Sequence, residues 1–394
     1  MRNLLLVSTA IAMTGTAALA DDVKIGVLLG FTGPLESLAP GMASGAELAM
    51  KEVTDSGKFM DGSTVTPVRG DSTCIDAGAA TSAAERLITA EGVKGIFGAM
   101  CSGATTAVLQ NVAMANGIVM ISPSATSPAL STMDDDGLFF RTAPSDARQG
   151  DVMADIILEH DIKSVALTYT NNDYGKGLAD SFQKAFEEKG GTVTVSAAHE
   201  DGKGDYSAEV GALASAGGDA LVVAGYVDQG GSGILRGALD AGAFDTFVLP
   251  DGMVASALEQ NFGDELDGSF GQIPSSEGEG KDKFLEMATA AGFDGNQVYS
   301  GESYDAAALI MLAMAEAKST DPSIYKEKIM GIANGPGEKI LPGQLGHALD
   351  LIAEGKAIDY DGASSVNFIN GGESAGTFRE VEIKDGKIET VKYR

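Results

Sequence analysis

The sequence contains no tryptophan, two cysteines and three histidines in 394 residues, and sets only 27 basic side chains against 56 acidic ones. Three histidines and two cysteines leave little material for a soft-metal site built from imidazole and thiolate. No Cys-x-x-Cys occurs, so a thioredoxin-like redox motif is excluded. A formal net charge of −29 repels phosphate backbones and anionic bilayer faces, which excludes a nucleic-acid partner and disfavours a membrane surface. Beyond residue 20 no apolar run reaches the ~20 residues that a spanning helix needs, so no membrane insertion is expected there. GxxxxGK[ST] and HExxH are absent, which removes the P-loop and the zincin site. Gly231-Ser232-Gly233 lacks the third glycine of a dinucleotide fingerprint, because Arg236 stands in its place. No cofactor is expected. His160, His199 and His347 are scattered and read as structural side chains.

What is present is ordinary for a globular protein: 44% hydrophobic and 21% charged residues. The length suits two or three domains at ~100–200 residues each. Fifty-two glycines imply many tight turns and close backbone approaches. The first twenty residues have the layout of a secretory signal peptide. Arg2 supplies the positive charge, Leu4 to Leu19 is mostly apolar, and Ala18-Leu19-Ala20 is a small-x-small cleavage site. The mature chain then starts at Asp21 and is exported. In an oxidising compartment a disulfide is the default for the pair Cys74 and Cys101, with two buried thiols as the alternative.

Strand and helix patterns alternate from there on. Val23–Leu29, Val65–Val68, Val93–Phe97 and Ile118–Ile121 read as strands, separated by helices over Gly41–Val53, Ala77–Ala90 and Thr105–Asn116. The alternation restarts after Arg141, with strands Ser164–Tyr169, Thr192–Ser196, Ala220–Ala224 and Phe247–Leu249. Helices over Gly175–Lys189, Ser207–Ala216 and Gly230–Gly242 lie between them. This predicts an α/β fold of two Rossmann-like lobes, each with a parallel central sheet. Residues 250–300 show no clear period. Ser303–Lys318 reads as an amphipathic helix, and the tail from Val366 as short strands with a turn at Lys384–Lys387. The expected partition is residues 21–144 with about 276–368 in one lobe, and 145–275 with about 369–394 in the other.

One catalytic pattern occurs. Gly372-Glu373-Ser374-Ala375-Gly376 fits G-x-S-x-G, yet short strands follow it and no histidine lies downstream, so it reads as a glycine-rich turn rather than a hydrolase elbow. The pairs Ser181/Lys184 and Ser323/Lys326 lie on amphipathic helices and read as solvated faces.

Polar groups instead collect after the strands. Cys101-Ser102 follows one, Ser122-Pro123-Ser124-Ala125-Thr126 another, and Gly225-Tyr226 and Pro250-Asp251 two more. Open α/β sheets bind ligands beyond the carboxyl ends of their strands. Hydroxyls beside a helix start favour a carboxylate, and a buried acid favours an ammonium. Together they describe a receptor for a zwitterion.

Across nearly all of residues 21–394 the chain resembles the type I periplasmic binding proteins, specifically the leucine/isoleucine/valine-binding receptors of ABC transporters. The resemblance rests on Ile25-Gly26-Val27 with Thr32-Gly33-Pro34, Asp71–Cys74, Gly98–Ser102, Ile121–Pro128 and Asp173–Gly177. It implies a non-enzymatic monomer, with a multi-crossover hinge, that delivers a small amino-acid-like ligand to an inner-membrane permease. It implies a Cys74–Cys101 disulfide, and a ligand carboxylate held by Ser102 and Thr126. It further implies an ammonium held by the Ser124 carbonyl and Asp251, under Tyr174 and Tyr226. Asp251 stands where the branched-chain binders have Glu, and Leu38 where an aromatic lines the side-chain pocket. Those departures keep the amino-acid head group and set the leucine-type side chain aside. A ligand-sensing domain and a secreted hydrolase using Ser374 are the rival readings.

Overall fold

A computed structural model describes residues 21–369 and 371–394; the expected signal peptide, residues 1–20, lies outside the described residues. The first sheet is built from β1 (Asp22–Leu29), β2 (Thr64–Asp71), β3 (Ile96–Gly98), β4 (Met120–Ser122) and β5 (Phe139–Pro144). The second repeats the plan with β6 (Ser164–Thr170), β7 (Thr192–His199), β8 (Ala220–Ala224), β9 (Phe247–Leu249) and β10 (Phe270–Pro274). A two-stranded ribbon, β11 (Glu338–Ile340) with β12 (Ile358–Tyr360), stands apart. The tail adds β13 (Phe368–Ile369), β14 (Glu373–Ser374), β15 (Phe378–Lys384) and β16 (Lys387–Tyr393).

Both sheets have one order. The first runs β13-β14-β5-β4-β3-β1-β2 and the second β16-β15-β10-β9-β8-β6-β7. The first ten strands thus form two doubly wound units. In each, the strand order reverses beside the first strand, between β1 and β3 and between β6 and β8. Such a reversal opens a crevice at the carboxyl ends of the flanking strands. Central strands are apolar runs buried on both faces, as in Ala220–Ala224, because helices cover both sides. The edge strand β7 alternates instead.

The tail strands are shared out. β14 pairs parallel with β5, while β15 pairs antiparallel with β10. The chain therefore stays with the first sheet to Ser374 and crosses only before Phe378. This corrects the expected boundary at 369: the Glu373 and Ser374 backbone completes the edge of β5, and Glu373 pairs with a charge buried there. The hairpin β15–β16 closes through Asp385-Gly386, both at positive φ, the geometry that fits the twist of a two-residue turn.

Helix Asp146–Glu159 and strands β5 and β10 were not expected. The helix starts at an N-cap, Ser145, whose hydroxyl accepts from the Ala147 amide. The helix expected from Ser303 begins at Ser300, and every residue from Ser300 to Met314 is buried. It packs against helix Ala39–Ser56 and the first sheet, so both of its faces are core.

Cys74 and Cys101 are bonded, with Cα atoms 5.2 Å apart. The bridge ties the loop after β2 to the loop after β3. Titration of unfolded, unreduced protein with a thiol reagent should find essentially no free thiol. Two reactive thiols per chain would contradict the bridge. Removing it should lower stability by roughly 2–5 kcal/mol.

Candidate functional site

The carboxyl ends of the two sheets face each other, and their loops close over one cavity. Leu35 and Leu38 come from the segment after β1, Met100–Ser102 from the loop after β3, and Ser124 from the loop after β4. Tyr174 follows β6, Tyr226 follows β8, and Asp251 and Gly252 follow β9. Tyr299, just before helix Ser300–Ala317, completes the lining. Five of the six expected ligand residues, Ser102, Ser124, Tyr174, Tyr226 and Asp251, thus meet in one space. Thr126 does not line it; it is buried behind the wall, with its hydroxyl unpartnered.

The turn after β3 can be made only with glycine. Gly98 sits at φ +127°, and a Cβ there would lie 2.2 Å from the Leu28 carbonyl oxygen. That close approach brings residues 99–102 over the end of β1. The helix after it starts at Ser102 with Cys101 as N-cap, three residues earlier than its apolar stripe suggests. Ser102 Oγ accepts the Ser127 amide at 3.1 Å, so it fastens two loops of the first wall together. Ser124 Oγ donates to the Met100 carbonyl at 2.7 Å.

Asp251 is 3% exposed and accepts three hydrogen bonds. Gln149 Nε2 donates to Oδ1 at 2.7 Å and the Tyr174 hydroxyl at 3.0 Å, while the Tyr299 hydroxyl donates to Oδ2. Burial pushes its carboxyl above the ordinary range, and these donors pull partly back. Tyr174 and Tyr226 stack at 5.3 Å between ring centres. Burial, with acidic neighbours, raises the phenols of Tyr174, Tyr226 and Tyr299, so they remain donors. Asp146, fully buried, has both carboxylate oxygens unpartnered, and burial followed by the Asp251 charge pushes it well up. Thr126 Oγ1 and Gln149 Oε1 are also unpartnered. Asp251 thus offers the cavity a buried carboxylate oriented by three donors, an arrangement suited to a cation.

The two walls touch. The Ser37 amide donates to Asp228 Oδ2 at 2.8 Å, and the Asp228 amide donates to the Pro34 carbonyl at 3.2 Å. On the other side a Cβ on Gly177 would lie 2.8 Å from Pro128 Cδ. Gly177→Val should therefore prop the walls apart at ~1–3 kcal/mol, the usual cost of overpacking. Small-angle scattering should give a larger radius of gyration for the variant; an unchanged radius would show that the contact tolerates the side chain.

Several site residues escaped the sequence reading. Tyr299 carries no motif, Met100 lies in the Gly98–Ser102 segment without having been singled out, and Gln149 and Asp146 sit on the unexpected helix. Its signal was legible: a Ser145 cap before Val152, Met153, Ile156 and Ile157 at helical spacing. Ser374 is buried in β14, paired with β5, and no helix follows it, so it forms no nucleophile elbow. His199 is buried against Thr168, His160 stacks on Phe270, and His347 meets Glu338; none reaches the cavity.

A family model described as periplasmic binding protein matches residues 22–331. A Leu/Ile/Val-binding protein homolog from Brucella melitensis is 31% identical over 377 residues, covering 90% of this chain and 98% of its own. A leucine-, isoleucine-, valine-, threonine- and alanine-binding protein from Pseudomonas aeruginosa is 29% identical, covering 81% and 86%. A leucine binding protein from Thermotoga maritima has the same fold, with TM-score 0.79 at 23% identity over 94% of this chain and 98% of that one.

Proposed function

This chain belongs to the periplasmic binding proteins, in their Leu/Ile/Val-binding branch, as a substrate-binding protein whose two lobes close on a small ligand; from that premise we propose that its ligand is an amino acid or close relative held as a zwitterion. The carboxylate is held on the first wall by Ser102, at the start of the helix after β3, with Thr126 packed behind that wall. The ammonium lies between the Ser124 carbonyl and Asp251, with Tyr174 and Tyr226 as cover. The observation that carries this reading is Asp251, a buried acid at the end of β9 facing the hydroxyls that follow β3 and β4. Relatives that bind leucine, isoleucine, valine, threonine and alanine support the head group. Leu38, in place of an aromatic, supports a side chain unlike leucine.

Closure joins the two lobes into one surface, which an ABC permease in the inner membrane reads. The chain is exported, and its signal peptide is removed after Ala20. The test is native mass spectrometry of the protein as purified, then calorimetry with each amino acid found. A bound species without an amine would overturn the zwitterion reading and leave the receptor fold intact.

A further inference from the structure

The cavity at Asp251 measures only about 20 Å³. Sites for small molecules usually offer ~300–1,000 Å³. Such a space does exist next door: a groove of about 400 Å³ on the far side of Leu38, which lines both. The groove runs between the lobes, with Ser37 and Leu38 from one side and Arg379, on β15, from the other. Its wall continues through Gln297 to Tyr299 at the cavity.

Three residues of the groove carry buried polar atoms without partners: Ser37 Oγ, Gln297 Oε1 and Arg379 Nε. Arg379 makes no ion pair among the described residues, and its one protein hydrogen bond is a long one, to the Asn296 carbonyl at 3.4 Å. In a chain with twice as many acids as bases, a half-buried guanidinium that contacts no carboxylate stands out. Neither acid of the groove comes within ion-pair distance of Arg379, although the charges of Asp294 and the buried Glu302 act on it from farther off. Glu259 pairs with Lys387 at 2.9 Å, and Asp294 accepts the Asn296 amide at 2.9 Å. Unpaired buried cations are costly, and a guanidinium fork matches a carboxylate.

We propose that the groove beyond Leu38 takes the distal end of the ligand and that Arg379 pairs with a carboxylate there, so that the substrate class is an amino acid with an acidic side chain long enough to pass Leu38. The inference rests on the head-group reading above and adds a third recognition point to it. The Ser37 hydroxyl can donate to the same distal carboxylate.

Calorimetry with four probes tests it: L-alanine, and three amino acids of similar length but different end charge, L-2-aminoadipate, L-norleucine and L-lysine. Wild-type protein should bind 2-aminoadipate more tightly than norleucine by roughly 10- to 150-fold, the range for a charge-assisted hydrogen bond, with lysine weakest. In Arg379→Gln the ratio of 2-aminoadipate to norleucine affinity should collapse toward one. Leu38→Trp narrows the passage and should weaken all three long ligands relative to alanine, which tests the route without touching the charge. Norleucine or lysine binding as well as 2-aminoadipate, or a preference that survives Arg379→Gln, would overturn the inference alone. Failure of all four to bind wild-type protein would overturn it together with the head-group reading.

Discussion

Asp251→Asn should weaken binding of the co-purifying amino acid by about 2–5 kcal/mol, the range for removing one charge of a buried pair. The substitution keeps the side chain's shape, so the loss reports charge rather than packing. The three donors around Asp251 bear on the size of the effect. Gln149, Tyr174 and Tyr299 already serve the carboxylate, which fixes its orientation before any ligand arrives. An asparagine there presents an amide N–H₂ to a hydroxyl that is itself a donor, so the local network is disturbed as well. Calorimetry measures the loss, and affinity equal to wild type would remove Asp251 from the site. The pH dependence has a definite sign. An ammonium needs the ionised carboxylate, and burial raises the pKa of Asp251 above the ordinary carboxylate value. Affinity should therefore fall on acidification, beginning at a higher pH than an exposed aspartate would give.

Arg141→Ala should cost about 3–5 kcal/mol of stability without any ligand, the range for breaking a buried ion pair from one side. The guanidinium is 1% exposed. One nitrogen donates to the Ala125 and Ser127 carbonyls at 3.1 and 2.9 Å, the other to Ser131 Oγ and Glu373 Oε2 at 2.6 Å each. Those partners span the loop that carries Ser124 and Thr126. Truncation leaves the Ala125 carbonyl without this donor, leaves the Ser127 carbonyl only the Leu130 amide and the largely buried Glu373 carboxylate only the Ser131 hydroxyl, and frees the loop that forms the first wall. Arg141→Lys should recover only part of the loss, because one ammonium cannot span a fork of four acceptors. Urea denaturation of ligand-free protein measures both variants. A loss below about 1 kcal/mol for Arg141→Ala would mean that the loop is held by its own hydroxyl bonds, such as Ser102 to Ser127.

Much of this architecture could be read from the sequence because a parallel strand covered on both faces is a plain apolar run. Val23–Leu29 and Ala220–Ala224 are such runs, and helices alternate with them. β5 escaped because Arg141 interrupts its apolar run, and that arginine is buried by its partners rather than by its nature. β10 escaped because Gly271 and Gln272 dilute it, although both are buried. At the site, positions that directly follow strands were legible, since topology alone brings strand ends to the cleft. Tyr299 was not, because its place depends on a crossover that local pattern does not encode. Thr126 was expected at the surface of the cavity and lies behind it, beside Asp146, whose amide donates to its carbonyl at 2.8 Å. A one-residue alternation within a loop decides that difference, and no period governs loops.

The late arrival of β14 bears on how the chain acquires its shape. Glu373 is separated by 232 residues from the arginine it neutralises, and the strand that carries it closes the edge of a sheet begun at Asp22. Until the tail is available, β5 presents an unpaired edge, and Arg141 has no carboxylate. Contacts of such separation are the slowest to form, because a long loop must close before it is rewarded. The first five strands can collapse early but cannot reach their final stability while the chain is being made or threaded. In a polypeptide of this design the edge of the first sheet is completed only by its last two dozen residues. That postponement suits a periplasmic protein, whose final packing is wanted only on the far side of a membrane.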